Sequence, residues 1–466
     1  MVARTRKPIG AAIVLLSVLA FLTGEAGALN VHIAGDKLTL QAENVPLRHI
    51  MARLSQEGIR ARMDPQIDLT VTASFRNLEI QKGLALILKD LDYALLWDSI
   101  EAAGGRIPRL VEIQVFRPGQ KDRMRLIRAR RSLAVARNPE DGSYYVRDEV
   151  LIRVKPGTEL ETVDALLATW GGRVVDSFVS LGIFRVRLPE GSDVQALLKE
   201  MREKLGKESA EPNFAYPMPR SPGDIKRPPV DPTLAPGENQ VPVAVIDSGL
   251  SPEARMDRYV LASLDAMNPD QAISDDEGHG TQMALIAAGL VKPMGAAASS
   301  GIHAPIIPIR AFDENGFTSA FHLMQSIEFA IRQGARVMSL SWGSETRSEF
   351  LGDALEAARL QGLVIVASAG NEPTGQPHYP AAYSSVIGVG ALGPDGKPWE
   401  KSNSGDFVAL YAPGFASMPV GYRGEAGIYA GTSISAAFAA NRIASILSAN
   451  PKATREEIIK ALQDGK

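Results

Sequence analysis

Five short apolar runs in the last half of the chain constrain its fold more than any other feature. They lie at 241–246, 306–309, 336–340, 363–367 and 386–389, separated by stretches with helical periodicity. A strand with one wet face alternates apolar and polar residues, so a strand that is apolar almost throughout must be covered on both faces. Parallel strands also need long crossover connections, which the intervening helices supply. The expectation is therefore an α/β unit over 241–466 with a mainly parallel, doubly covered sheet. In such sheets, ligand-binding groups gather at the carboxyl ends of the strands.

Chemistry-bearing residues sit at those positions. Asp247 ends the first run in Val245-Ile246-Asp247-Ser248-Gly249, and His279 lies in Gly278-His279-Gly280-Thr281 before the apolar stretch 283–290. Ser433 lies in Gly431-Thr432-Ser433-Ile434-Ser435, where a helix of small residues begins. Singly, each has a plain structural reading: a turn aspartate, a histidine at a helix start, a serine N-cap. Together they supply what a serine nucleophile requires. An imidazole must take the hydroxyl proton, and a carboxylate must hold the imidazole's tautomer and stabilise the imidazolium. Asn371, in Ser368-Ala369-Gly370-Asn371-Glu372, adds a side-chain amide able to meet a developing oxyanion.

The four segments, with the order Asp, His, Asn, Ser, resemble those of the subtilisin-like serine proteases, the subtilases. The resemblance implies a subtilisin-like fold in the C-terminal half, with Asp247, His279 and Ser433 as catalytic triad and Asn371 in the oxyanion hole. It also implies that Ser341-Trp342-Gly343 forms a substrate-binding strand to which a peptide adds as a further strand. Ala369 and Gly370, with Ala367, would leave an open primary pocket. Gln282 stands where subtilases often carry a second histidine, Ile434-Ser435 where Met-Ala is usual, and Ala437 where proline is usual. None of these is a reacting group. The triad needs no cofactor and the sequence has no metal motif. Subtilases often bind structural calcium, but the acids here form no ligand pattern, so calcium stays unknown.

Upstream, residues 145–216 read as βαββαβ, a ferredoxin-like plait. Strands at 150–154, 174–179 and 183–188 and a last strand through Glu211-Pro212-Asn213-Phe214-Ala215-Tyr216 surround two helix faces. Those faces are Val163, Leu166, Leu167 and Trp170, then Val194, Leu197, Leu198, Met201 and Leu205. Its size, closing strand and place before the peptidase-like unit resemble the inhibitor propeptides of subtilases, which implies an intramolecular inhibitor. Residues 217–240 hold seven prolines in 24 residues, a composition that reads as an extended, accessible linker. Residues 29–116 read as a small α/β domain with two amphipathic helices. The stretch 38–47, with Gly58 and 84–97, resembles the short N-terminal domain of secretins and TonB-dependent receptors. That implies a docking module for an envelope protein partner. Between 117 and 144 lies a basic linker: eight Lys or Arg residues and one acid, Asp122, occur from Arg117 to Arg137.

With 466 residues, two to four domains are expected. The net charge of −3 gives no argument for a nucleic-acid partner, and the absence of cysteine removes disulfides and thiol chemistry. Arg4, Arg6 and Lys7, an apolar run from about 9 to 22 and Ala26-Gly27-Ala28 read as a cleavable signal peptide, residues 1–28. The expected protein is thus a secreted serine endopeptidase, periplasmic or extracellular, made as an inhibitor-bearing precursor and acting on protein or peptide substrates. Two alternatives remain at this point. One is an envelope docking protein whose peptidase-like unit binds peptide without cutting it. The other is a processing protease with one partner.

Overall fold

The computed structural model describes residues 30–464 apart from 35–36, 57–58, 65, 68, 103–104, 122–123, 128–131, 155–166, 219–234, 238, 270, 276, 298–300 and 420–425. The expected signal peptide, most of the plait's first helix and most of the proline-rich linker lie outside the described residues. Two compact units result, Met1–Arg131 and Ser132–Lys466.

In the first unit, β1 (Asn30–Ala34), β2 (Lys37–Pro46) and β4 (Thr70–Glu79) form an antiparallel sheet in the order β1-β2-β4. A second sheet has the order β5-β6-β3-β7, from β3 (Arg60–Met63), β5 (Asp92–Ala102), β6 (Gly105–Phe116) and β7 (Arg125–Leu126). The apolar stripes of α1 (Leu47–Gln56) and α2 (Ile80–Ile87) place Leu47, Ile50, Met51, Leu54, Leu84 and Ile87 in one core with Leu40, Ile113 and Val115. The helical pattern that the sequence carries through Leu91 stops earlier. The helix ends at Ile87, and Leu91 reaches the same core from the turn before the long β5–β6 hairpin.

The basic run at 117–144 is not a bare connector. Arg125–Leu126 pairs with β3, and β8 (Val135–Arg137) pairs with β9, so the run closes one unit and opens the next. A two- or three-residue edge strand needs only its backbone to join a ladder, and charged side chains are common there.

The second unit begins with the plait: β9 (Tyr144–Arg153), β10 (Arg173–Phe178), β11 (Ile183–Arg187), α3 (Val194–Leu205) and β12 (Ala210–Pro217), in sheet order β10-β11-β9-β12. It continues into a seven-stranded sheet from β13 (Val243–Asp247), β14 (Leu264–Asp265), β15 (Ile306–Arg310), β17 (Val337–Leu340), β18 (Val364–Ser368), β19 (Val386–Leu392) and β20 (Val408–Pro413). Its order is β14-β15-β13-β17-β18-β19-β20, and every neighbouring pair is parallel. All five apolar runs lie in this sheet. Successive side chains of a strand point to opposite faces, and the two cores divide on that rule. Val243, Val245, Val337 and Val366 pack with Met283 of α4 (His279–Ala287) and Ile434 of α7 (Thr432–Ala449). Ala244, Ile246, Met338 and Ile365 pack with Phe321 of α5 (Ala320–Arg332) and Phe350 of α6 (Glu349–Leu360).

The plait is built on the same alternation. Val150 and Ile152 of β9 face Leu198 and Met201 of α3, while Leu151 between them joins Phe178, Ile183 and Tyr216 in the core of α5 and α6. Each of those side chains contributes roughly 2 kcal/mol through burial. The plait sheet also gains a strand from the neighbouring domain: β16 (Phe317–Ser319) pairs antiparallel with β12, with Ala215 opposite Ser319 and Tyr216 opposite Thr318. Plait and parallel sheet thus share one apolar core and one hydrogen-bonded ladder.

Candidate active site

Asp247 is the last residue of β13 and His279 the first of α4; both are buried. The His279 Nδ1 lies 2.6 Å from Asp247 Oδ1, which also accepts from the Ser248 amide at 2.7 Å. A nitrogen facing a carboxylate carries the proton, so Nε2 is left as the base. Burial works to lower the His279 pKa, but the charge and hydrogen bond of Asp247, with help from Asp275, outweigh it and hold the imidazole above its ordinary value.

The sequence-level reading of the triad missed what positions it. Ser248 Oγ accepts from Gly280 N at 2.7 Å and donates to Asp275 Oδ1 at 2.9 Å. Asp275 also accepts from Gly278 N at 2.8 Å, and from Thr281 N at 2.8 Å and Thr281 Oγ1 at 2.6 Å. It is therefore the cap that fixes the start of the His279 helix, where N–H groups have no intrahelical partner. Gly280 is required by close approach, since a Cβ there would lie 2.4 Å from Gly249 O. An acid shortly before a helix start was the available signal for Asp275.

Ser433 is buried in the first turn of α7, whose packing against α4 brings two helix N-termini to the carboxyl ends of the strands. Its hydroxyl donates to Ser341 O at 3.2 Å, and Ser341 Oγ donates back to Ser433 O at 3.3 Å. The Ser433 hydroxyl is thus held on the Ser341 carbonyl. Asn371 is oriented from α7: its Oδ1 accepts from Thr432 N and Thr432 Oγ1, both at 2.9 Å, which leaves the amide Nδ2 to donate. The point a Cβ on Gly431 would occupy is 3.4 Å from Asn371 Nδ2 and 3.8 Å from Ser433 N, so both donors border one small space.

The remaining sequence-assigned residues have mixed roles. Trp342 is buried, with its ring 5.7 Å from Tyr216 and 6.4 Å from Phe312, so its side chain belongs to the core. Gly343 and Gly370 both have the imidazole of His378 beside them. Built Cβ atoms on the two glycines would lie 2.6 Å and 3.2 Å from the imidazole of His378, which stands between them. Among the described residues, no group of three or more His, Cys, Asp or Glu is placed to hold a metal ion.

Residues 238–464 match the subtilase family, and residues 133–213 match the fervidolysin N-terminal prodomain. A subtilisin from Bacillus pumilus is 31% identical over 259 residues, covering 53% of this chain and 91% of that protein. The chain belongs to the subtilase family. The minor extracellular protease Epr of Bacillus subtilis is 36% identical over 181 residues, 38% of this chain, and the chain spans only 27% of that relative's length. The fold is that of fervidolysin from Fervidobacterium pennivorans, with a TM-score of 0.52 at 22% identity, covering 70% of this chain and 58% of that one. The subtilase unit is thus 238–464, preceded by a fervidolysin-like prodomain that coincides with the plait. Subtilases need no cofactor for catalysis.

Proposed function

We propose that this subtilase is an exported serine endopeptidase made as a self-inhibited precursor. The buried 2.6 Å contact of His279 Nδ1 with Asp247 is the observation that carries the reading, because it presets the imidazole as a base at a helix terminus. Ser433 Oγ swings from Ser341 O and attacks the scissile carbonyl carbon while His279 Nε2 takes its proton. The carbonyl oxygen becomes an oxyanion between Asn371 Nδ2 and Ser433 N. Collapse of the tetrahedral intermediate expels the amine, which takes the proton back from His279, and leaves an acyl-enzyme. Water, deprotonated by His279, attacks the ester and frees the acid and the Ser433 hydroxyl. Asp247 keeps its hydrogen bond to Nδ1 and stabilises the imidazolium.

The prodomain is read as the inhibitor. Glu211 and Asn213, two residues apart on β12, point to one face and bind two helix starts of the peptidase. Glu211 accepts from Ser348 Oγ at 2.5 Å and Glu349 N at 3.1 Å, and Asn213 Oδ1 accepts from Phe321 N at 3.2 Å. Its chain then runs through Pro217 towards the proline-rich segment, whose cutting would part prodomain from peptidase. Export rests on the sequence pattern of residues 1–28. The separately cored unit 29–116 is read as a docking module for an envelope partner, and partly exposed Leu86, Leu96 and Trp97 offer it apolar surface. The test is a fluorophosphonate, which labels only an activated serine: the processed protein should be labelled, and Ser433→Ala should not. Labelling absent from a folded, processed wild-type chain would instead favour a peptide-binding protein that does not cut.

A further inference from the structure

We propose that the segment entering the prodomain, residues 132–137, is a latch: a second autoinhibitory contact, at the opposite end of the prodomain sequence from its exit strand, that grips the peptidase turn 313–317. The inference rests on the self-inhibited-precursor reading above and deepens it. Leu133 N donates to Asp313 Oδ2 at 2.6 Å, across 180 residues of sequence. Asp313 is buried, and a hydrogen bond to a carboxylate is of the stronger kind. The other carboxylate oxygen serves the turn itself. Oδ1 accepts from Asn315 N and Phe317 N, both at 2.9 Å, while Asp313 N donates to Phe317 O at 2.9 Å and Gly316 N to Asp313 O at 3.1 Å. The turn is thus closed without Oδ2, which takes the prodomain's amide.

The latch is placed by the plait. In β8, Val135 lies opposite Val146, Ala136 opposite Tyr145 and Arg137 opposite Tyr144, and Arg147 N donates to Ala134 O at 2.6 Å. The hairpin between β8 and β9 is closed by Asn138 N on Ser143 O at 2.7 Å and Gly142 N on Asn138 O at 2.9 Å. Two further prodomain elements meet the same turn. The Tyr144 ring of β9 lies 5.4 Å from the Phe317 ring. At the exit, Pro217 of β12 is opposite Phe317, and Met218 N donates to Gly316 O at 2.7 Å. The entry, the central strand and the exit of the prodomain therefore converge on one turn. Because β9 already holds β8, the Leu133 bond forms with little further ordering, so most of its strength is available to hold the prodomain.

The experiment uses the full chain with Leu133→Pro, Asp313→Asn or both, purified after self-processing. It reads the rate at which peptidase activity emerges on dilution, as the prodomain dissociates. Proline has no N–H to donate. Asparagine keeps one oxygen for the turn and sets an amide where Leu133 needs an acceptor. Leu133→Pro leaves the released peptidase identical to wild type, so any change it makes belongs to the hold. Each single variant should speed emergence by about tenfold, the worth of one hydrogen bond to a charged group. The double variant should exceed the faster single by less than about threefold, because both substitutions remove one bond. A change under about threefold in either single variant would overturn the latch, as would a double whose effect is the product of the two. Failure of the precursor reading looks different: wild type neither processes itself nor gains activity on dilution. The latch is then read by amide exchange in the uncut Ser433→Ala chain. There the Leu133 amide should be protected, and Asp313→Asn should expose it while the β8–β9 amides stay protected. A freely exchanging Leu133 amide in the uncut chain would refute the contact itself.

Discussion

Replacing Glu211 by alanine tests whether the prodomain is held by helix capping as well as by apolar contact. In the intact unit Ser348 is the N-cap of α6, and its Oγ accepts from Leu351 N at 3.0 Å. Glu211 supplies what Ser348 cannot, accepting from Ser348 Oγ at 2.5 Å, from Glu349 N at 3.1 Å and from Phe350 N. The first-turn N–H groups of α6 are therefore satisfied from two domains. Alanine would strand one hydroxyl and two amides in a buried contact. Each stranded group costs about 1–3 kcal/mol when dry, and water admitted by the smaller side chain recovers part of that. A net loss of about 2–3 kcal/mol corresponds to roughly 30- to 150-fold weaker binding. The assay is inhibition of the processed peptidase at pH 6 by residues 132–218 supplied as a separate polypeptide. If that polypeptide folds only on binding, the cost is common to wild type and variant and drops out of their ratio. Inhibition constants within twofold of each other would refute the capping argument.

The same carboxyl predicts a pH dependence, because burial raises its pKa from an ordinary 4.5 to about 7. The bound prodomain then holds a proton that the free one releases, so inhibition should be strongest below about pH 4.5 and weaken up to about pH 7. The overall change is about 3 kcal/mol, and Glu211→Gln should flatten the profile of inhibition constant against pH. Asn371→Ala should lower kcat by roughly a hundredfold or more while KM changes little, as steady-state kinetics would show. Ser433→Ala and His279→Ala should each abolish nearly all turnover, and the double variant should lose little more, because neither group works alone. Asp275→Ala removes a helix cap worth about 0.5–2 kcal/mol, seen as a lower Tm. It also removes a charge that raises the His279 pKa, so the acid limb of kcat/KM should move to lower pH.

What could be read without coordinates follows from how local each signal is. The strands of the central sheet were legible because burial on both faces forces apolar residues at successive positions, as at Val243, Ala244, Val245 and Ile246. The plait was legible where Val150, Leu151 and Ile152 read as a strand, though nothing local says that Leu151 belongs to a different core from its neighbours. Asp247, His279, Asn371 and Ser433 stood out because glycine flanks each place where backbone comes close. The clamp of Ser248 on Asp275 did not, since 27 residues separate partners whose types are ordinary for loops. Edge strands Arg125–Leu126 and Val135–Arg137 were hidden because backbone pairing leaves no mark on charged side chains. The pocket shows the limit most sharply. A glycine in a sequence announces that something approaches, but the approaching group is chosen by the fold. At Gly280 it is the Gly249 backbone, at Gly343 the Tyr379 carbonyl together with the ring of His378, and at Gly370 that ring. Small residues at Ala367, Ala369 and Gly370 suggested open space, and only the fold says that the His378 ring comes to 3.2 Å from the point a Cβ on Gly370 would occupy.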